Sequence, residues 1–246
     1  MLSIPSKYEV NKEFAIKTFL GADLTPKEKK RFREVVEEIC LAHQIMGEDI
    51  PSLINEEYDC QVVLFFDVKL TELKSASFVG YIIQKIVKPL CVVRFYDYTN
   101  QEVYCFSFKR LNLQDKTQIV IEETVYSLPV SMQFRDETNT LIHDYVGFDR
   151  IQNKGNKLDF YLESMIKMYI ISNLTLWSGA RSLLTSDVWY YRNKMLNIYV
   201  NLKRIEQLKR EQKSARTVSE NSKINTELKR RFAEFTNIIG GQQNGI

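Results

Sequence analysis

The 246-residue sequence predicts an α+β or α/β fold class. A small N-terminal domain with a mixed sheet is followed by an all-helical region ending in an antiparallel coiled-coil hairpin. Three observations carry this prediction. Between residues 60 and 128, β-branched and aromatic runs surround one helix-length apolar segment, in the order strand, helix, strand, strand, strand. From about residue 140 onward the apolar spacing turns helical. Residues 188–239 hold two apolar seams in steps of three and four, separated by a turn with its own cap.

The first element is LTPKEKKRFREVVEEICLAH (24–43). Thr25 caps it, Pro26 fits its first position and Glu28 completes a capping box. Phe32, Val35, Val36, Ile39 and Cys40 recur at helical spacing, which predicts one helix with one buried face. Lys27, Lys29, Lys30, Arg31 and Arg33 crowd its exposed first half, where cations oppose the macrodipole. That small cost makes Lys27, Lys29, Lys30 and Arg31 candidate phosphate contacts, beside the simpler reading of a solvated face.

CQVVLFFDVKL (60–70) predicts a strand, and LKSASFVGYIIQKIV (73–87) predicts a helix with Val79, Ile82, Ile83 and Ile86 on one side. Pro89 stops that helix. The strand LCVVRFYDY (90–98) follows, so strand, helix and strand predict a right-handed crossover with parallel pairing. After Thr99-Asn100, EVYCFSFKR (102–110) returns as a hairpin arm, and TQIVIEETVYSL (117–128) adds a fourth strand. This domain is placed at 1–135.

Residues 136–186 form a linker and an apolar helix. Residues 130–157 are polar and irregular, and NKGNK (153–157) is a connecting loop. LDFYLESMIKMYIISNLTLW (158–177) is the most apolar segment. Asp159, Glu163, Lys167 and Asn173 interrupt it, so it is a buried amphipathic helix and not a membrane span.

The hairpin is placed at 187–240. Asp187 caps a helix whose seam is Val188, Tyr191, Met195, Ile198, Leu202 and Ile205. Continued in phase, the seam would bury Lys209, Gln212 and Arg216, so the helix must break. Ser214 to Thr217 supplies the turn, and Thr217 with Glu220 a second capping box. The returning seam reads Val218, Asn221, Asn225, Leu228, Phe232, Phe235 and Ile239. Gly240-Gly241 ends it, leaving 241–246 as a flexible tail. On the seam, Asn221 and Asn225 either fix register or meet a polar group of a partner.

Net charge is only +3, yet residues 208–231 hold eight basic and three acidic side chains. The positive charge is local, and Lys209, Arg210, Lys213 and Arg216 at the hairpin tip are candidate DNA or phosphate contacts. Asp67-Val68-Lys69 has the D-x-K spacing of a metal-dependent nuclease strand. Glu57 and Asp59, however, lie at the entrance to the same strand, and a helix follows it, so the element order fits poorly. The aromatic and basic run 189–204 is explained mostly by the seam. His43 and His143 lack metal spacing, and nine glycines form no phosphate loop. No catalytic residue, metal or cofactor is assigned. Cys40, Cys60, Cys91 and Cys105 are isolated and read as core thiols in a reducing, cytoplasmic protein without an apolar leader.

VNKEFAIKTFL (10–20), LTPKEKKRF (24–32), PLCVVRFYDYTNQEVYCFSFKR and KINTELK (223–229) together resemble the bacterial and archaeal family called domain of unknown function 4391. The resemblance runs along nearly the whole chain. Departures are EFAIK after V-N-K, where family members often carry a proline, and a longer, more apolar middle at 140–186. The resemblance implies no established activity. It implies genes beside DNA methyltransferases and helicases of restriction or phage-defence type. The expectation is therefore a non-catalytic accessory subunit with a helicase, methyltransferase or other DNA-handling partner. Direct DNA binding and a nuclease at Asp67 and Lys69 stand as alternatives.

Overall fold

The computed structural model describes residues 2–240, with side chains through Phe235. The chain divides into two compact units, Met1–Ser172 and Asn173–Ile246.

In chain order the first unit contains β1 (Glu9–Glu13), α1 (Pro26–Val35), β2 (Val36–Ile45), β3 (Leu53–Ile54), β4 (Asp59–Cys60) and β5 (Val63–Leu70). There follow α2 (Ala76–Ile86), β6 (Leu90–Tyr96), β7 (Gln101–Leu111), β8 (Ile119–Tyr126), β9 (Val130–Ser131), α3 (Glu137–Val146) and α4 (Lys157–Ser172). The large sheet runs β1-β2-β5-β6-β7-β8, with β9 paired to β7. Strands β5 and β6 are parallel, joined through α2, and their neighbours are antiparallel. The β6–β7 turn places Asn100 at φ 57°, and the Asp97 side chain accepts from the Thr99 amide at 2.9 Å. Asparagine tolerates this left-handed conformation well.

The capping box of α1 forms as predicted: Thr25 Oγ1 accepts from the Glu28 amide, and Glu28 accepts from the Thr25 amide at 2.8 Å. The helix nevertheless stops at Val35, and the second half of the predicted helix is β2. Pairing of β2 with β5 shifts register between Val36 and Glu38 and again between Leu41 and His43. Each irregularity breaks the two-residue alternation, so the buried Val36 and Ile39 stand three apart and imitate a helix. Cys40 is only half-buried.

One sheet face packs Phe66, Val68, Val93, Phe95 and Cys105 against Phe32 of α1 and Val79, Ile82 and Ile83 of α2. The other face meets α4, where Tyr161 packs on Phe106 at 5.7 Å between ring centroids. Helix α4 is not amphipathic: every residue from Lys157 to Ile171 is buried. Its charges are satisfied internally. Lys157 donates to the carbonyls of Gly47 at 2.9 Å and Ile50 at 2.6 Å. Glu163 pairs with Lys167 and accepts from the backbone amides of Gln152 and Asn153 at 2.9 and 2.7 Å. Satisfied in this way, polar groups are tolerated in a core. Among the described residues no helix is long and apolar enough to cross a membrane. Because α4 belongs to this core, the boundary between units falls after Ser172 rather than near 135. The segment expected to be irregular also contains α3, capped by Asp136, which accepts from the Asn139 amide at 2.7 Å.

The second unit contains α5 (Ala180–Leu183), α6 (Arg192–Ser214) and α7 (Val218–Gly240). Asp187 opens a short 3-10 turn ahead of α6 instead of capping the long helix. Tyr191 is exposed and off the seam, whereas Met195, Ile198, Leu202 and Ile205 are buried and Leu208 joins them. The break and second cap form as predicted. Thr217 Oγ1 accepts from the Glu220 amide at 3.1 Å, and Glu220 accepts from the amides of Arg216 and Thr217 at 3.0 and 3.1 Å. The arms run antiparallel: Gln212 donates to Asn225 at 2.7 Å near the tip, and Arg231 donates to Asn201 at 2.6 Å farther down. Leu228 and Phe235 are buried, but Val218 is 88% exposed and does not begin the seam. The Ile239 side chain, Gly241 and the predicted tail lie outside the described residues.

Candidate functional site

At the hairpin tip the four predicted cations are not equivalent. Lys209 Nζ donates to the Thr175 carbonyl at 3.1 Å, and Arg210 is ion-paired with Glu206. Lys213 and Arg216 are exposed, and neither side chain has an ion pair among the described residues. Lys223, which the sequence reading passed over, is exposed and unpaired in the same sense, in the second turn of the returning arm. Arg230 and Arg231 are instead held by Glu227 and Glu234. Asn225 is the partner of Gln212, so it pins register within the hairpin, while the Asn221 amide donates to Thr217.

In α1, Lys30 reaches Glu34 at 3.8 Å and the Arg31 guanidinium lies 4.2 Å from the centre of the Phe78 ring. Lys27 and Lys29 have no ion pair among the described residues. These cations and those of the tip belong to different units.

Asp67 and Lys69 share a sheet face, as D-x-K spacing requires, but each is engaged separately. Lys69 meets Glu37 and the Tyr98 hydroxyl, both at 3.2 Å. On the neighbouring parallel strand Arg94 stands opposite Asp67 and grips it with two N–H groups, Nε donating to Oδ1 at 2.8 Å. A third guanidinium N–H reaches Glu102 at 3.4 Å, and the other Glu102 oxygen accepts from the Tyr104 hydroxyl at 2.8 Å. Burial opposes the charge on Arg94, but Asp67 outweighs it and the guanidinium is held even more firmly protonated than usual. Burial beside Glu102 pushes the Tyr104 phenol well above its ordinary range. No group of three or more His, Cys, Asp or Glu among the described residues is placed to hold a metal ion.

Beside this triad lies a cavity of about 410 Å³. Arg94, Glu102 and Tyr104 line it from the sheet, Phe134 and Arg135 from the loop after β9, and Asn139 and His143 from α3. Phe134 is 75% exposed. Arg135 has no ion pair among the described residues. His143 meets Asp144 through Nδ1 at 3.0 Å.

A family model described as a domain of unknown function (DUF4391) matches residues 2–234. The chain belongs to this family. No curated protein and no solved structure matches it. The DUF4391 match spans both units, so the sheet-face cavity and most of the hairpin lie within it. Sequence reasoning missed the cavity because Phe134 and Arg135 sit in a stretch without periodicity. One signal was available: Arg94 is a lone charge inside the apolar run LCVVRFY, and a charge buried in a strand requires a partner across it.

Proposed function

We propose that this DUF4391 chain is a non-catalytic accessory subunit of a cytoplasmic, multi-protein DNA-defence or restriction-type assembly. In this reading the coiled-coil-type hairpin docks a larger helicase, methyltransferase or other DNA-handling subunit. The observation that carries it is the distribution of unspent groups on the hairpin. Below the tip, cations and polar seam residues are largely engaged by the hairpin's own side chains. Lys213, Arg216 and Lys223 are exposed around the tip, with Val218 exposed beside them. Charged and apolar groups left free at one end of the hairpin suit contact with another macromolecule.

The test is purification of the tagged chain from its native host after nuclease treatment of the lysate. A DNA-handling subunit is expected at stoichiometric yield, and it should be lost from a variant carrying Lys213→Glu, Arg216→Glu and Val218→Asp. Recovery of no such subunit sinks the reading.

Direct DNA binding is a second reading, supported by the same three free cations. It predicts that Lys213→Glu with Arg216→Glu weakens binding to duplex DNA and flattens its salt dependence. Unchanged binding and slope reject it.

A further inference from the structure

We propose that the sheet-face cavity of the first unit binds a nucleotide unit, with its phosphate on Arg135 and Arg94 and its base stacked on Phe134. The inference stands on this cavity alone and does not depend on the role of the hairpin.

The first step is an account of which hydrogen-bonding groups remain free. Both Glu102 oxygens are used, one by Tyr104 and one by Arg94. Arg94 spends three N–H groups on Asp67 and Glu102. A guanidinium has five, so two remain. Arg135 has all of its side-chain donors free of ion pairs among the described residues. His143 is engaged through Nδ1 only. The unspent charged donors lining the cavity therefore belong to Arg94 and Arg135, while each Glu102 oxygen already accepts one hydrogen bond. Such a site accepts an anion.

Arg94 and Arg135 are matched in number by Asp67 and Glu102, so the pull on an anion comes from fixed, aimed donors rather than from net charge. Arg94 is fixed by a two-pronged grip on Asp67, so its free N–H groups are held in place before any ligand arrives. Planar guanidinium donors match phosphate oxygens. An isolated phosphate, however, leaves the rest of the cavity unexplained. At about 410 Å³ the space is on the scale of small-molecule sites. Phe134, directly before Arg135, presents its ring to solvent at 75% exposure while lining the same cavity. An aromatic face next to a phosphate-binding cation is the pairing by which proteins hold a nucleotide without reading its sequence.

Two sources supply this chemistry, a free mononucleotide and one unit of a single strand. Calorimetric titration with AMP and anisotropy titration with a labelled oligothymidylate distinguish them. Both are run in a Lys213→Glu, Arg216→Glu, Lys223→Glu background, which removes the free cations of the hairpin tip. Saturable binding of AMP identifies the free nucleotide, and binding of the oligonucleotide alone identifies the strand; either supports the proposal. Arg135→Glu should weaken the binding about tenfold or more, and Phe134→Ala roughly five- to a hundredfold. Both side chains are exposed, so unchanged thermal midpoints check that the variants stay folded. Inorganic phosphate should compete at least about tenfold less well than the nucleotide, because it has no base to stack. Absence of binding by both probes up to roughly 1 mM overturns the proposal. So does binding that phosphate matches and that Phe134→Ala leaves unchanged.

Discussion

The Tyr161 hydroxyl stands between β6 and β7, where it accepts a hydrogen bond from the Ser107 amide at 2.7 Å. Strand pairing begins at Val92 and Phe106, so the next pair along would be Cys91 with Ser107. The hydroxyl takes over there, 3.0 Å from the carbonyls of both residues. A side chain from α4 thus closes the ladder where the two strands part. Tyr161→Phe keeps the ring against Phe106 but leaves the buried Ser107 amide without its acceptor. The expected cost is about 1–3 kcal/mol, read as a lower urea midpoint at unchanged slope. An unchanged midpoint would mean that the hydroxyl closes nothing.

That contact also marks the limit of what the sequence makes legible. The strands around it are plain from β-branched runs, and both capping boxes from their residue types. The hairpin break follows from Lys209, Gln212 and Arg216 falling on an apolar seam. These are local signals. Strand β2 is hidden because its irregular pairing converts alternation into three-residue steps. Helix α4 reads as amphipathic because the burial of Glu163 depends on the amides of Gln152 and Asn153, and Lys157, read as part of a loop, is buried on the carbonyls of Gly47 and Ile50. The cavity is least legible of all. Arg94 and Asp67 are 27 residues apart and are brought together only by the register of a parallel pair, which no periodicity encodes.

Both tryptophans, Trp177 and Trp189, belong to the second unit, Trp177 stacked on Phe235 at 4.8 Å and Trp189 fully buried. Tryptophan fluorescence therefore reports this unit selectively. Thr217→Ala removes the cap of α7 and should lower the fluorescence-detected stability by about 1 kcal/mol, while Thr217→Asn should retain most of it. Equal stability for the two variants would show that the cap contributes little.

His43 carries a buried Nδ1 with no hydrogen-bond partner among the described residues. Burial is the leading cause that holds its pKa below the ordinary 6.5; Arg94 adds to the depression, while Asp67 and Glu9 oppose it. Between the folded value and 6.5 the unfolded chain binds more protons, so stability falls as pH drops through that window. His43→Gln removes this contribution. The stability of wild type relative to the variant should therefore decline as the pH drops through and below 6.5. A difference independent of pH rejects the account.

The Asp67–Arg94 grip makes opposite predictions from a catalytic D-x-K pair. Both side chains are 18% exposed, so the ion pair is neither fully buried nor freely solvated. Asp67→Ala leaves the Arg94 charge with only the longer contact to Glu102. A cost of about 2–3 kcal/mol is expected, below the 3–5 kcal/mol of fully buried pairs because some water contact remains. Arg94→Lys should not restore the loss seen for Arg94→Met, since an ammonium cannot reproduce a two-pronged contact. Lys69→Ala, by contrast, breaks a more exposed pair with Glu37 and should cost much less than Asp67→Ala. A metal-dependent site would require both residues for activity and neither strongly for stability. Chemical denaturation of the four variants separates the cases. A large loss for Asp67→Ala beside a small one for Lys69→Ala identifies a structural carboxylate, and small losses for both would return Asp67 to the pool of candidate catalytic groups.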